Sequence, residues 1–310
     1  MMKKTFLITG GTGFIGSNIS NMLLTEGYKV VVYDNNQRGK VRRLSKNIKF
    51  IRGDIRSKKK LSLAFKNIDA VIHLAYVNGT KFFYSKPELV LDVATKGLIN
   101  VFDLCIKNKI KELYLASSSE VYQMPDKIPT DENVSLKIPD IKNPRYSYAG
   151  GKILTELYGM NYGKKYFKKL IIFRPHNVYG PDMGVEHVIP ELLRKFKKVK
   201  KHQKLKIEGT GNETRSFIYI SDFCEAFLTL IKYGKHLNIY NIGTENRVKI
   251  SKILDILKKI TKKKIKISNT QLKTGGTKHR CPDIKKIKKL GFKPKISLIE
   301  GIKKCLFQQI

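Results

Sequence analysis

The chain has 310 residues, with 62 Lys and Arg against 25 Asp and Glu and a formal net charge of +37. That length holds an ample core and room for one large α/β domain plus a smaller one, and without a run of 18 apolar residues no membrane span is expected. Lysine supplies 51 of the 62 basic residues, in runs such as Lys258–Lys264 that read as solvated helix faces, and no nucleic-acid-binding motif accompanies them, so no dedicated nucleic-acid partner is expected.

The first element is the apolar strand Thr5-Phe6-Leu7-Ile8, which runs directly into Thr9-Gly-Gly-Thr-Gly-Phe-Ile-Gly16. Gly10 suits a tight turn, Gly13 a close backbone approach to a pyrophosphate, and Gly16 the packing of helix on strand. The same stretch can also be read from Gly11 as Gly11-x-Gly13-x-x-Gly16. A helix from Phe14 to about Glu26 follows, and its partly positive N-terminus favours an anion. Met1–Ile8 imitates the start of a signal peptide, but the glycines cut the apolar stretch too short for one. A second strand, Lys29–Tyr33, ends at Asp34, 18 residues after Gly16, where an acid accepts hydrogen bonds from a ribose.

Further strands are expected at Ile48–Arg52, Asp69–Leu74, Glu112–Ala116 and Lys169–Phe173. Between them the pattern predicts a short helix capped by Ser57 and running through Phe65, a long helix around Glu88–Lys107, and a helix over Ser147–Tyr166. Repeated βα units of this kind imply a doubly wound parallel sheet with ligands at the strand C-termini. After Arg174-Pro175 the elements become shorter and more mixed. The expected division is a dinucleotide-binding domain over 1–175 and a smaller substrate-binding α/β domain over 176–310, with a segment near 237–250 returning to the main sheet. Cys105, Cys224, Cys281 and Cys305 show neither CxxC nor metal spacing, and they read as reduced thiols of a cytoplasmic protein with no metal.

Chemistry concentrates in three places. Tyr148 and Lys152 are one helical turn apart and so share a face. A lysine cation beside that phenol, reinforced by a positive nicotinamide, would lower its pKa from near 10 toward the range useful for proton exchange. Ser118, at the C-terminal end of a strand, can hydrogen-bond the oxygen that Tyr148 deprotonates. Glu120, two residues on, is either a further acid or base or a surface carboxylate.

Together these residues resemble the extended short-chain dehydrogenase/reductase family, in particular its NAD-dependent nucleotide-sugar epimerases and dehydratases, and the resemblance runs through nearly the whole chain. It implies a Rossmann sheet and NAD held by Gly10, Thr12, Gly13, Phe14, Ile15, Gly16 and Asp34. Further cofactor contacts are implied from Asp54 and Ile55 in Gly53-Asp54-Ile55, from Leu74 and Ala75 in His73-Leu74-Ala75, and from Tyr148 and Lys152. Ser118, Glu120, Tyr148 and Lys152 would be catalytic. Ser118, Asn177, Arg215 and Arg280 would hold a nucleoside-diphosphate sugar, the guanidiniums suiting phosphate. The resemblance also implies a homodimer formed through the helices near 88–107 and 147–166. Three departures stand out: Gln123 replaces a frequent Gly, Tyr76 replaces a small residue, and Ser119 lies where dTDP-glucose dehydratases place an Asp acid. Oxidation at sugar C4 is the common first step implied, followed by 4-epimerisation or 4,6-dehydration. A uronate decarboxylase, or an NAD-binding scaffold without catalysis, is the alternative.

Overall fold

The computed structural model of the chain describes residues 3–184, 187–199, 203–271 and 277–307. The first half runs β1 (Thr5–Thr9), α1 (Phe14–Thr25), β2 (Lys29–Asp34), β3 (Lys49–Arg52), α2 (Lys58–Ser62), β4 (Ala70–His73), α3 (Thr80–Ser85), α4 (Pro87–Asp92), α5 (Leu98–Lys107), β5 (Glu112–Ala116), α6 (Ser147–Tyr166) and β6 (Lys169–Pro175). Then come β7 (Val178–Tyr179), α7 (Val188–Lys198), β8 (Lys204–Glu208), β9 (Thr214–Arg215), β10 (Ile218–Tyr219), α8 (Ile220–Tyr233) and β11 (Asn238–Ile242). The chain finishes with β12 (Val248–Lys249), α9 (Ile250–Thr261), β13 (Lys266–Thr270), β14 (His279–Arg280), α10 (Lys285–Lys288) and α11 (Leu298–Phe307).

Seven strands form one parallel sheet in the order β3-β2-β1-β4-β5-β6-β11. Strands covered on both faces read as continuous apolar runs, and β4 is buried at every position. Side chains alternate between two cores. Phe6, Ile8, Ile72, Tyr114 and Phe173 pack toward α1 and α8, while Leu7, Val71, Leu113, Leu115 and Ile172 pack toward α4, α5 and α6. The expected doubly wound fold stands, and β11 returns to the sheet beside β6. Helices α7, α9 and α11 share one hydrophobic cluster with the α1/α8 face, so the C-terminal elements close directly over the sheet.

Two local expectations need correction. Helix α2 begins after Ser57, but the Ser57 side chain makes no capping bond, and a 3-10 turn over Leu63–Phe65 follows it. The long helix near Glu88–Lys107 is two α-helical stretches, α4 and α5, joined by a π-helical turn over Val93–Gly97. Gly97 sits there against Ile55, whose Cδ1 would lie 2.3 Å from any added Cβ. Among the described residues, no helix is long and apolar enough to cross a membrane.

Candidate active site

A cavity of about 1220 Å³ opens along the C-terminal edge of the sheet. Its first wall is the turn between β1 and α1. Gly10 adopts φ +75°, and a Cβ there would lie 2.6 Å from the Ala75 nitrogen. At Gly16 a Cβ would meet the Gly10 carbonyl oxygen at 2.2 Å. Gly13 is crowded only by the Gly10 oxygen at 3.3 Å, so its other side is open. Helix α1 starts at Gly13 without a side-chain cap, leaving first-turn N–H groups available to a ligand. The Asp34 carboxylate, at the end of β2, accepts from the backbone N–H groups of Thr12 (3.0 Å) and Asn36 (2.8 Å) and lines the cavity.

Phe14, Ile15, Asp54, Ile55, Leu74 and Ala75 also line this cavity, whereas Thr12 does not. Thr12 is fully buried and acts from behind, tying Asp34 to the turn. Asp54 is engaged by its neighbour: the Arg56 guanidinium donates to it at 2.8 and 3.1 Å and holds its carboxyl below the usual range. An uncapped helix start, a glycine surface without Cβ atoms and a carboxylate at the cavity wall fit a dinucleotide, with the pyrophosphate on α1 and a ribose on Asp34.

The second wall is made of side chains. Tyr148 and Lys152 both project from α6 and are buried, and Ser118 lines the cavity with them, two residues beyond the end of β5. The Ser118 hydroxyl is close enough to pull the Tyr148 phenol pKa down, and it accepts from the Glu120 N–H at 3.1 Å. Phe83 stacks on Tyr148 with ring centroids 4.9 Å apart. Lys152 donates to the Ala116 carbonyl at 2.7 Å, and its Nζ lies 5.9 Å from the Tyr148 ring centroid. Burial by itself pushes the Tyr148 phenol up to about 12, against the pull of Ser118, Arg280 and Arg38, so the lowering expected from Lys152 together with a positive nicotinamide is a property of the NAD-bound enzyme. Burial likewise brings the Lys152 ammonium down to about 7, opposed by Glu156. Low dielectric penalises both charged forms and outweighs the one-turn spacing.

Glu120 is no surface carboxylate. It lines the cavity and accepts from Arg280 at 2.8 Å, with the Arg145 guanidinium 4.0 Å away. Burial opposes its charge, yet Arg280, aided by Arg145 and Arg215, holds the carboxyl down to about 2. Gln123, at φ +50°, donates its side-chain amide to the Glu120 carbonyl at 2.6 Å and so ties down the turn that carries Glu120. A glycine would adopt that φ without strain; here the glutamine holds it through the bond to Glu120.

The four predicted substrate contacts are not equivalent. Ser118, Asn177 and Arg280 line the cavity, and the Asn177 amide donates to the Ser216 carbonyl at 2.8 Å. Arg215 does not line it: its guanidinium donates to the carbonyls of Thr214, Thr277 and Lys278. The sequence reading missed Arg145, whose Nε is buried without a partner. It also missed the fully buried Arg174–Glu156 pair (2.8 and 2.6 Å), reinforced by Tyr122 and Ser117, which backs the Lys152 side of the helix. The adjacent Arg174-Pro175-His176-Asn177 motif marked the place, but nothing local paired Arg174 with Glu156.

The NAD dependent epimerase/dehydratase family model matches residues 6–243. A putative UDP-glucose 4-epimerase of Methanocaldococcus jannaschii is 32% identical over 302 residues, covering 97% of this chain and 96% of that protein. Human dTDP-D-glucose 4,6-dehydratase is 31% identical, across 98% of this chain and 89% of its own. The UDP-glucose 4-epimerase of Thermus thermophilus, solved in complex with NAD, matches with a TM-score of 0.88 at 27% identity over 97% of both chains. With the dinucleotide-shaped first wall, these matches establish that the chain belongs to the NAD dependent epimerase/dehydratase family and that NAD is its cofactor.

Proposed function

We propose that the protein oxidises a nucleoside-diphosphate sugar at C4 and returns it as the C4 epimer. NAD supplies the reversible two-electron oxidation. Tyr148 Oη takes the proton of the C4 hydroxyl, Ser118 shares the developing charge on that oxygen, and the Lys152 cation stabilises the tyrosinate. After the 4-keto sugar turns over, so that its opposite face takes back the hydride at C4, Tyr148 returns the proton to the C4 oxygen. Asn177, Arg215 and Arg280 bind the diphosphate; Arg215 does so by exchanging a backbone carbonyl for a phosphate oxygen. In this reading residues 1–175 carry the cofactor and 176–310 the sugar nucleotide, with 237–250 belonging to the sheet, and the setting is cytoplasmic, where the four buried thiols stay reduced.

The observation that carries 4-epimerisation is the state of Glu120. It is the carboxylate nearest the Tyr148 wall, and Arg280 keeps it ionised, so it does not serve as the acid that expels a C6 hydroxyl. Ser119 beside it has no acid to offer. The second reading is a 4,6-dehydratase, favoured by the same ionised Glu120, which is a competent base at C5 once the 4-ketone has acidified that hydrogen. Incubation with a panel of UDP-, GDP- and dTDP-sugars, followed by mass spectrometry and NMR, tests the choice. Unchanged mass with a new C4 configuration is expected. Loss of water would replace the proposal with dehydration, and loss of CO₂ with decarboxylation. In a 4-epimerase Glu120→Gln keeps turning over, whereas in a dehydratase it stalls with reduced cofactor bound.

A homodimer is part of the same proposal. Leu91, Ile99, Leu157, Tyr162 and Tyr166 are exposed on α4, α5 and α6, an apolar surface fit to pair with its own copy. Light scattering at micromolar concentration should return twice the 35.6 kDa chain mass; the monomer mass would reject it.

A further inference from the structure

Lys152 is a buried cation with an unusual set of neighbours. Only 4% of it is exposed, and its nearest carboxylate, Glu156, is already gripped by two Arg174 nitrogens and by Ser117. His73, facing it from β4, is turned to the Thr9 hydroxyl and held neutral by burial. Besides the Ala116 carbonyl and the cofactor contact expected of Lys152, the protein group that remains is Tyr76: Lys152 Nζ lies 3.8 Å from its ring centroid. The same ring meets Tyr148 edge-on at 5.1 Å, and its hydroxyl lies 3.5 Å from the Tyr148 carbonyl oxygen. Space for it comes from Gly151, where an added Cβ would fall 2.0 Å from the Tyr76 hydroxyl.

We propose that Tyr76 is a positioning residue of this site: the face of its ring holds the Lys152 ammonium beside Tyr148 and replaces the carboxylate partner that a buried lysine otherwise needs. A cation over an aromatic face is attracted by the ring quadrupole, most strongly where water is excluded. Tyr76 touches neither the sugar nor the proton in transit; it acts through Lys152. The groups facing that ammonium are His73, Tyr76, Tyr148 and Glu156. His73 and the two phenols carry no charge near neutrality, and Glu156, which supports the ammonium, is fixed by Arg174, so the ring is the contributor that a substitution can remove by itself.

The inference rests on Lys152 acting as a cation in the proposed reaction, and its test is read in two independent ways. The first is the pH dependence of Lys152 acetylation by acetic anhydride, followed by peptide mass spectrometry, which needs no substrate. The second is the alkaline limb of the turnover profile. Loss of the ring lowers the ammonium's pKa, so in Tyr76→Leu both midpoints should move about one pH unit toward acid, leaving turnover above both midpoints about tenfold lower. Tyr76→Phe keeps the ring face and should match the parent. Tyr76→Met replaces Tyr76→Leu in the comparison if the leucine variant does not fold. Labelling midpoints that coincide in the parent and the ring-less variant would overturn the proposal, as would Tyr76→Phe moving as far as Tyr76→Leu. A shifted labelling midpoint without turnover of any nucleotide sugar would support the role of Tyr76 while refuting the proposed reaction.

Discussion

The wall around Gly10, Gly13, Gly16 and Asp34 is built mostly of backbone, whereas the wall around Ser118, Glu120, Tyr148 and Arg280 is built of polar and charged side chains. In the first, function depends on what is missing: no Cβ fits at Gly10 or Gly16, and no side chain caps α1. In the second it depends on what is present, above all on protonation states set by burial and by neighbouring arginines. The backbone wall is therefore vulnerable to volume and indifferent to pH, while the side-chain wall tolerates small changes of shape and responds sharply to charge.

The largest expected effect separates the two walls. Tyr148→Phe removes one ionisable oxygen and little volume, so turnover should fall about 10²–10⁴-fold while calorimetry finds NAD affinity nearly intact. A variant keeping more than about a tenth of the parental rate would mean that another base operates.

Gly16→Ala attacks the other wall. Its methyl would lie 2.2 Å from the Gly10 carbonyl oxygen and 2.7 Å from Gly11 Cα, backbone that cannot yield cheaply. A stability loss of roughly 2 kcal/mol or more is expected, together with at least a roughly tenfold weaker NAD complex. Thermal melting and calorimetry read both, and unchanged NAD affinity would show that the turn does not carry the pyrophosphate.

Arg215→Ala sharpens the distinction within the side-chain wall. A phosphate clamp acts in ground and transition states alike, so the substrate dissociation constant should rise about tenfold with the chemical rate little altered. Because Arg215 also ties three carbonyls together, a lower melting temperature with unchanged substrate affinity would make it a purely structural residue.

The smallest effect concerns pH. Arg280 and its neighbours hold Glu120 at about 2, against an ordinary value of 4.5. A depressed carboxyl contributes stability that is present above the unfolded pKa and is lost as pH falls through the folded one. The parent should therefore lose a stability increment between about pH 4.5 and pH 2 that Glu120→Gln lacks, so the gap in melting temperature between them should narrow across that window. A constant gap would mean that the Glu120–Arg280 contact does not survive in solution.

What the sequence determined alone was everything carried by local spacing. The glycine turn, the ends of β2 and α6 and the shared face of Tyr148 and Lys152 all follow from periods of 2.0 and 3.6 residues and from glycine stereochemistry. These depend on atoms close together along the chain. Tertiary structure alone decided the contacts between distant residues: Tyr76 over Lys152, Arg174 on Glu156, and Arg280 on Glu120 across 160 positions. It also decided the protonation balance. The spacing of Tyr148 and Lys152 puts a cation near a phenol, but burial, which no local spacing encodes, raises the phenol and weakens the ammonium before any cofactor charge acts on them. Spacing places side chains on a face; the dielectric around them comes from the whole fold.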